Sequence, residues 1–221
     1  MSGRNPARRL GLLVLAAALG ACGFDTVRGQ VYPAANESEK VVTRVAVVPF
    51  EVGGDLQRIG PENTPAKAEE IAKLVTRYVT EALMGRGIQV VPADDFRVAL
   101  ASAQIDATVA ENRRPVANLA AFEFGADGVI TGVVTRFRER TGQALAAASP
   151  ASVGFRVLLV DAPAARRLWS GTFEETQQPI NENVLNMRRY PGGGTRWLTG
   201  EELAKWGADE MSKSMPVKAS Y

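Results

Sequence analysis

One cysteine, Cys22, and no histidine stand among 221 residues, and those two counts decide which chemistry the chain can attempt. A Ser-His-Asp or Cys-His nucleophile, an HExxH zinc site, a paired-cysteine metal knot and a CxxC redox pair are all excluded. Carboxylates remain. The pairs Asp94-Asp95, Glu174-Glu175 and Glu201-Glu202 could in principle divide acid and base work. Two of them fall at predicted helix starts, where the dipole favours negative charge, and adjacent residues on a strand point to opposite faces. Capping and solvated faces explain them better than catalysis. The Pro191-Gly192-Gly193-Gly194-Thr195 stretch lacks the lysine of a phosphate loop and follows no predicted strand, so it reads as a connector, as does Gly53-Gly54. No catalytic residue, metal ligand or cofactor is therefore expected. Arg136, Arg138 and Arg140 alternate with Phe137 and Glu139, which puts them on one side of a continuing strand. There they would meet an acidic polymer, lipid head groups or a partner, or form an ordinary solvated face. Trp169 and Phe173 share a face with Gly171 and read as core. Trp197 and Trp206 flank a weakly amphipathic helix, and either pack back onto the sheet or anchor a protein interface.

The elements that must position these residues follow from local patterning. Thr43 to Phe50 is a short β-branched run closed by Pro49-Phe50, suited to a strand buried on both faces. Thr64 can cap a helix with Pro65 at its first position, and Ile71, Leu74, Val75, Tyr78, Val79, Ala82 and Leu83 recur at three and four along it. Ile88 to Val91 reads as a second strand, and Asp94 as the cap of a helix reaching Ala103. Residues 104–114 are polar and read as loop. Pro115 to Phe124 has a helical face ending at Gly125. Strands are predicted at 126–137, 152–161 and 166–176, with the alanine-rich 143–150 stretch as a hairpin loop. Thr199 and Glu202 form a capping box for a last helix whose apolar positions Leu203, Trp206 and Met211 are sparse. The pattern gives an α/β (α+β) sandwich: a mixed sheet with helices on one face and antiparallel later strands. Apolar residues make up 46% and charged residues 23%, the composition of a globular domain.

At the amino terminus Arg4, Arg8 and Arg9 precede the uncharged run Leu10 to Leu19, the pattern of a secretory signal and too short for a comfortable membrane span. Leu19-Gly20-Ala21-Cys22 resembles a bacterial lipobox. That resemblance implies cleavage between Ala21 and Cys22, a diacylglycerol on the Cys22 thiol and an acyl group on the new amino terminus, more than the two signals a stable anchor takes. Gly23 after the cysteine, by the same resemblance, implies sorting to the outer membrane facing the periplasm. The leader carries three of the 26 basic residues and none of the 24 acidic ones, so the mature chain holds 23 against 24 and a net charge of −1. Nucleic acid thereby loses its compositional support as a partner.

The expected division is a signal peptide at 1–21, the lipidated cysteine and a flexible tether at 22–41, an α/β domain at 42–176 and a carboxy-terminal helical extension at 177–221 that packs on the domain or docks elsewhere. A polar tether of that length gives a coil reach of roughly 25 Å. The strand Val45 to Phe50, the helix Ala68 to Leu83 leading into Gly87 to Val91, and Phe124-Gly125-Ala126-Asp127-Gly128-Val129-Ile130-Thr131-Gly132 resemble the envelope lipoproteins with a TolB amino-terminal-like or CsgG-like α/β domain, of LpoB-like plan. The resemblance implies a non-enzymatic, protein-binding role in envelope assembly or in regulating cell-wall synthesis, with the membrane engaged through acyl chains on Cys22. An accessory lipoprotein of a transport or secretion complex, working as a homo-oligomer, is the alternative, and a carboxylate-only hydrolase is the reading from another class. The candidate interface residues are Arg136, Arg138, Trp197 and Trp206.

Overall fold

Val45, Ala46 and Val47 are fully buried, and they are buried on alternate sides: Val45 and Val47 enter one apolar cluster, Ala46 and Val48 the other. A strand covered on both faces needs no polar alternation, which is why this run is continuously apolar. The computed structural model describes residues 27–32, 41–54, 56, 64–162, 164–178, 190–191 and 196–220. Strand β1 spans Val27–Val31, β2 Arg44–Val47 and β3 Glu51–Val52; helix α1 spans Pro65–Gly85, β4 Gln89–Val91, α2 Ala93–Ser102 and α3 Arg113–Phe124. The later elements are β5 Gly128–Arg138, β6 Thr141–Gln143, β7 Ala146–Ser149, β8 Ser152–Asp161, β9 Arg167–Thr176 and α4 Gly200–Ser214. The main sheet runs β1-β9-β8-β5-β2-β4, with β3 also on β5, and β6 and β7 form a separate hairpin.

β2 is parallel to β4 and β5, whereas β5, β8, β9 and β1 are successively antiparallel. The α/β class and the mixed sheet with antiparallel later strands are thus as expected. One face carries α1 and α4, which lie against each other. The opposite face carries α2 and α3, so helices lie on both faces and not on one as expected; these two cover only the parallel half, packing Phe96, Leu100, Val116 and Ala120 onto Ala46, Val91 and Val129, because β2 is apolar on both sides.

α1 starts as its sequence dictates: Pro65 occupies the first turn and the Thr64 hydroxyl accepts from the Lys67 amide at 3.3 Å. Its buried Thr76 donates to Ala72 O and accepts from the Phe50 amide at 3.0 Å, tying the end of β2 to the helix. The Phe50 ring lies where a Cβ on Gly132 would stand, at 2.5 Å, so Gly132 is required by close approach. Gly125 closes α3 in the left-handed region at φ 60°.

Four local readings are corrected. Asp94 does not cap α2; Pro92 takes the cap position with no side-chain bond, and Asp94 sits in the first turn. α3 begins at Arg113, two residues before Pro115, because proline is tolerated in a first turn that needs no amide partner. β5 ends at Arg138, so Arg140 lies outside it, with its Nη1 donating to Gly142 O at 2.8 Å. Finally, part of the expected tether is strand: Val27–Val31 pairs with Phe173 to Trp169 of β9. Main-chain bonds to a partner some 140 residues away hold it there, and local composition does not encode such bonds.

Candidate interaction face

The carboxylates are the groups that could do chemistry. The Asp127 Oδ2 accepts from the Thr43 amide at 2.9 Å, the Thr43 hydroxyl at 2.9 Å and the Arg44 amide at 3.0 Å. The Gly-Ala-Asp motif is therefore a tie between the starts of β2 and β5. Glu175 is buried and accepts from the Tyr190 hydroxyl at 2.6 Å, while Glu174 on the other face is exposed. Glu202 completes the capping box with Thr199 and takes Arg196 in a fork at 2.7 and 2.6 Å. Arg196, helped by the Thr199 amide, holds the Glu202 carboxyl down at about 2. Glu201 accepts from the Tyr78 hydroxyl. Glu139 accepts from the Gly200 amide at 3.0 Å and the Glu201 amide at 3.3 Å, a helix cap reached from 61 residues away that local spacing could not reveal. Asp94 pairs with Arg97 at 3.6 Å on an exposed surface.

The tryptophans divide. Trp206 is a core residue: its ring meets Phe173 edge-on at 5.7 Å and Tyr190 at 5.3 Å, and it is 7% exposed. Of the two readings for it, packing onto the sheet is the one its geometry has, and it is unavailable as a surface anchor. The sparse apolar stripe of α4 has its explanation here, since Gly207 brings the helix backbone against the Phe173 ring and Met211 fills in beside Trp169 and Gly171. Trp197 is half-buried, and its amide donates to Ala144 O at the β6–β7 turn. Cys22 and Ala21 lie outside the described residues.

What remains open is the second face of the antiparallel half. Among the described residues the main helix contacts of β8, β9 and β1 are with α4, on the other side. The register aligns Glu51, Val133, Arg156, Thr172 and Arg28 in one row across five strands, and Thr131, Leu158, Ser170 and Gln30 in the next. Arg136, Gly154 and Glu174 form the row above. At the border with α3 a cleft of about 340 Å³ opens, its charged lining Glu51, Arg113 and Arg156 beside Thr108 and Thr131. Burial raises the Glu51 carboxyl above its ordinary value, and the nearby Asp106 charge adds to that. Asp106 itself accepts from the Thr108 amide and hydroxyl at 2.9 and 2.7 Å and sits on an exposed turn. Arg28, Arg156 and Thr172 were not among the candidates from sequence. The alternation of Gly154, Arg156 and Leu158 against Val153, Phe155 and Val157 was the signal that could have found the first of these rows.

Among the described residues no group of His, Cys, Asp and Glu could hold a metal ion, and no helix is long and apolar enough to cross a membrane. No protein family and no curated protein matches the sequence. Solved structures of similar fold include the PelC dodecamer from Paraburkholderia phytofirmans, at 18% identity and a TM-score of 0.45 over 89% of this chain and 99% of that one. Lipoprotein GNA1162 from Neisseria meningitidis is similar at 21% identity and a TM-score of 0.40, over 66% of this chain and 91% of that one. The LpoB C-terminal domain from Escherichia coli follows at 15% identity and 0.37, over 66% and 94%. These likenesses concern the course of the chain and carry nothing about its partners.

Proposed function

We propose that the chain is a membrane-anchored periplasmic lipoprotein that binds an envelope protein and does no chemistry of its own. The observation that carries this reading is the face of β8, β9 and β1 away from α4, whose rows present arginine, threonine and half-buried valine and leucine, while Asp127 of the Gly-Ala-Asp motif is spent inside the fold. Four strands at about 4.8 Å spacing and some ten residues at about 3.3 Å give roughly 600 Å², close to the ~800 Å² that one partner contributes to a standard interface. Arg28 and Arg156 supply charge selectivity, and the apolar members of the rows supply buried area. The lipobox at Leu19 to Cys22 supports the anchor, which raises the local concentration of the face at the leaflet.

A second reading, assembly into an oligomeric accessory of a transport or secretion complex, is favoured by β1, an edge strand exposed from Arg28 to Val31 and open to strand pairing with another copy. Crosslinking in intact cells followed by mass spectrometry tests the first reading. The wild-type chain is expected to yield one envelope partner with crosslinks on β8 and β9, and Arg156→Glu to lose them while still folding. Crosslinks confined to copies of the chain through β1 support the second reading instead.

A further inference from the structure

We propose that the end of the sheet bearing Arg136, Arg138, Arg140 and the Leu145 hairpin tip rests on an anionic lipid leaflet; the proposal builds on the Cys22 anchor above. β1 runs antiparallel to β9, β9 to β8 and β8 to β5, so β1 and β8 begin at the end of the sheet where β5 finishes. The chain enters β1 from that end. Only residues 23–26 separate Cys22 from Val27, and five residue steps span at most about 17 Å. Val27 stands level with Phe173, Phe155 and Val134 across the sheet, and Arg138 lies four residues farther along β5, about 13 Å. An acylated Cys22 therefore reaches the level of Arg138 with a few ångströms to spare. The roughly 25 Å coil of a twenty-residue tether does not exist, because β1 takes up its middle.

The groups gathered at this end suit a lipid surface. From Thr141 to Phe155 the sequence has no charge, and at the turn of the β6–β7 hairpin Leu145 is 83% exposed, the most exposed large apolar side chain among the described residues. Trp197 stands beside it through the amide bond to Ala144 O. The carboxylates near this end are turned into the fold: Glu139 caps α4, Glu201 accepts from Tyr78, and Glu202 is paired with Arg196. Among the described residues none of Arg136, Arg138 and Arg140 has a carboxylate within ion-pair distance, and Glu174 faces Arg136 only across Gly154. An apolar tip on a hairpin that follows the arginines of β5, with an acyl anchor in reach, has the composition that seats at the headgroup boundary.

The test uses the full-length lipidated chain with Leu145→Cys, labelled with an environment-sensitive thiol fluorophore and reconstituted into phosphatidylethanolamine–phosphatidylglycerol vesicles containing spin-labelled lipid. The label at 145 is expected to be quenched, and a label at Ala103→Cys, exposed where α2 ends at the opposite end of the sheet, is not. Adding Arg136→Gln and Arg138→Gln should weaken the contact about fivefold per arginine, as should replacing phosphatidylglycerol by phosphatidylcholine. Equal quenching at 103 and 145, or none at 145, overturns the docking. Quenching indifferent to both charge changes overturns the role of the arginines. A wild-type chain that takes the fluorophore at Cys22 overturns the anchor and the docking with it, whereas an unlabelled wild-type chain without quenching at 145 overturns the docking alone.

Discussion

Asp127 is the residue on which the most specific sequence motif turns, and replacing it separates a structural tie from a chemical group. Its Oδ2 accepts three hydrogen bonds in a part-buried site, two of them from the backbone amides of Thr43 and Arg44. Asp127→Ala removes the acceptor and leaves both amides at the start of β2 without it. Bonds to a charged acceptor contribute about 1.5 kcal/mol or more each, and partial solvent access to the orphaned groups brings the sum to roughly 3 kcal/mol. For a domain of this size that corresponds to a fall of about 6–12 °C in Tm. Asp127→Asn keeps an oxygen in place and should cost roughly 1 kcal/mol. Urea unfolding followed by circular dichroism reads both variants, with an unchanged m-value as the sign that the same transition is being compared. Crosslinking to the partner should persist in whatever fraction is folded. A change in stability under about 1 kcal/mol together with complete loss of partner binding would refute the reasoning, since Asp127 would then be a functional group.

Three further outcomes follow from the packing. Gly207→Ala should gain about 1 kcal/mol in helix propensity, yet its Cβ would stand 2.6 to 2.8 Å from three atoms of the fully buried Phe173 ring, so a net loss of roughly 1–2 kcal/mol is expected by denaturant titration. Trp206→Ala should cost about 3–5 kcal/mol as a large core deletion, whereas half-buried Trp197→Ala should cost well under half of that, a contrast that thermal melts resolve. Glu202 titrates at about 2 in the folded chain against 4.5 for the free side chain, so its contribution is fully present above pH 4.5 and is lost as the pH falls towards 2. Glu202→Gln should flatten acid unfolding in that window; because the side chain is 38% exposed the effect is modest, and an unaltered acid profile contradicts the assignment.

The parts of the fold that local patterning made legible are those whose causes are local. The apolar stripe of α1, the Thr64-Pro65 start and the Thr199–Glu202 box depend on residues within a few positions of one another, and each stands where its spacing put it. β1 was missed because Arg28, Gly29 and Gln30 have no apolar alternation; the strand exists through main-chain pairing with β9. The importance of α4 to the core was hidden for a related reason. Glycine carries no hydrophobic signal, yet Gly207 is what lets the helix backbone approach Phe173. At the candidate face, the arginines of β5 were visible as an alternation, but the bulge after Val134 and the end of β5 at Arg138 broke the triplet, and the row through Arg156 and Arg28 arose only from register.

Cys22 is the residue through which the chain would be anchored, and the mass of the intact chain isolated from membranes tests that anchor most directly. A mature protein starting at Cys22 and carrying a diacylglyceryl group plus one further acyl chain is the predicted result. A chain that retains residues 1–21, or one that begins elsewhere with a free Cys22 thiol, would contradict it.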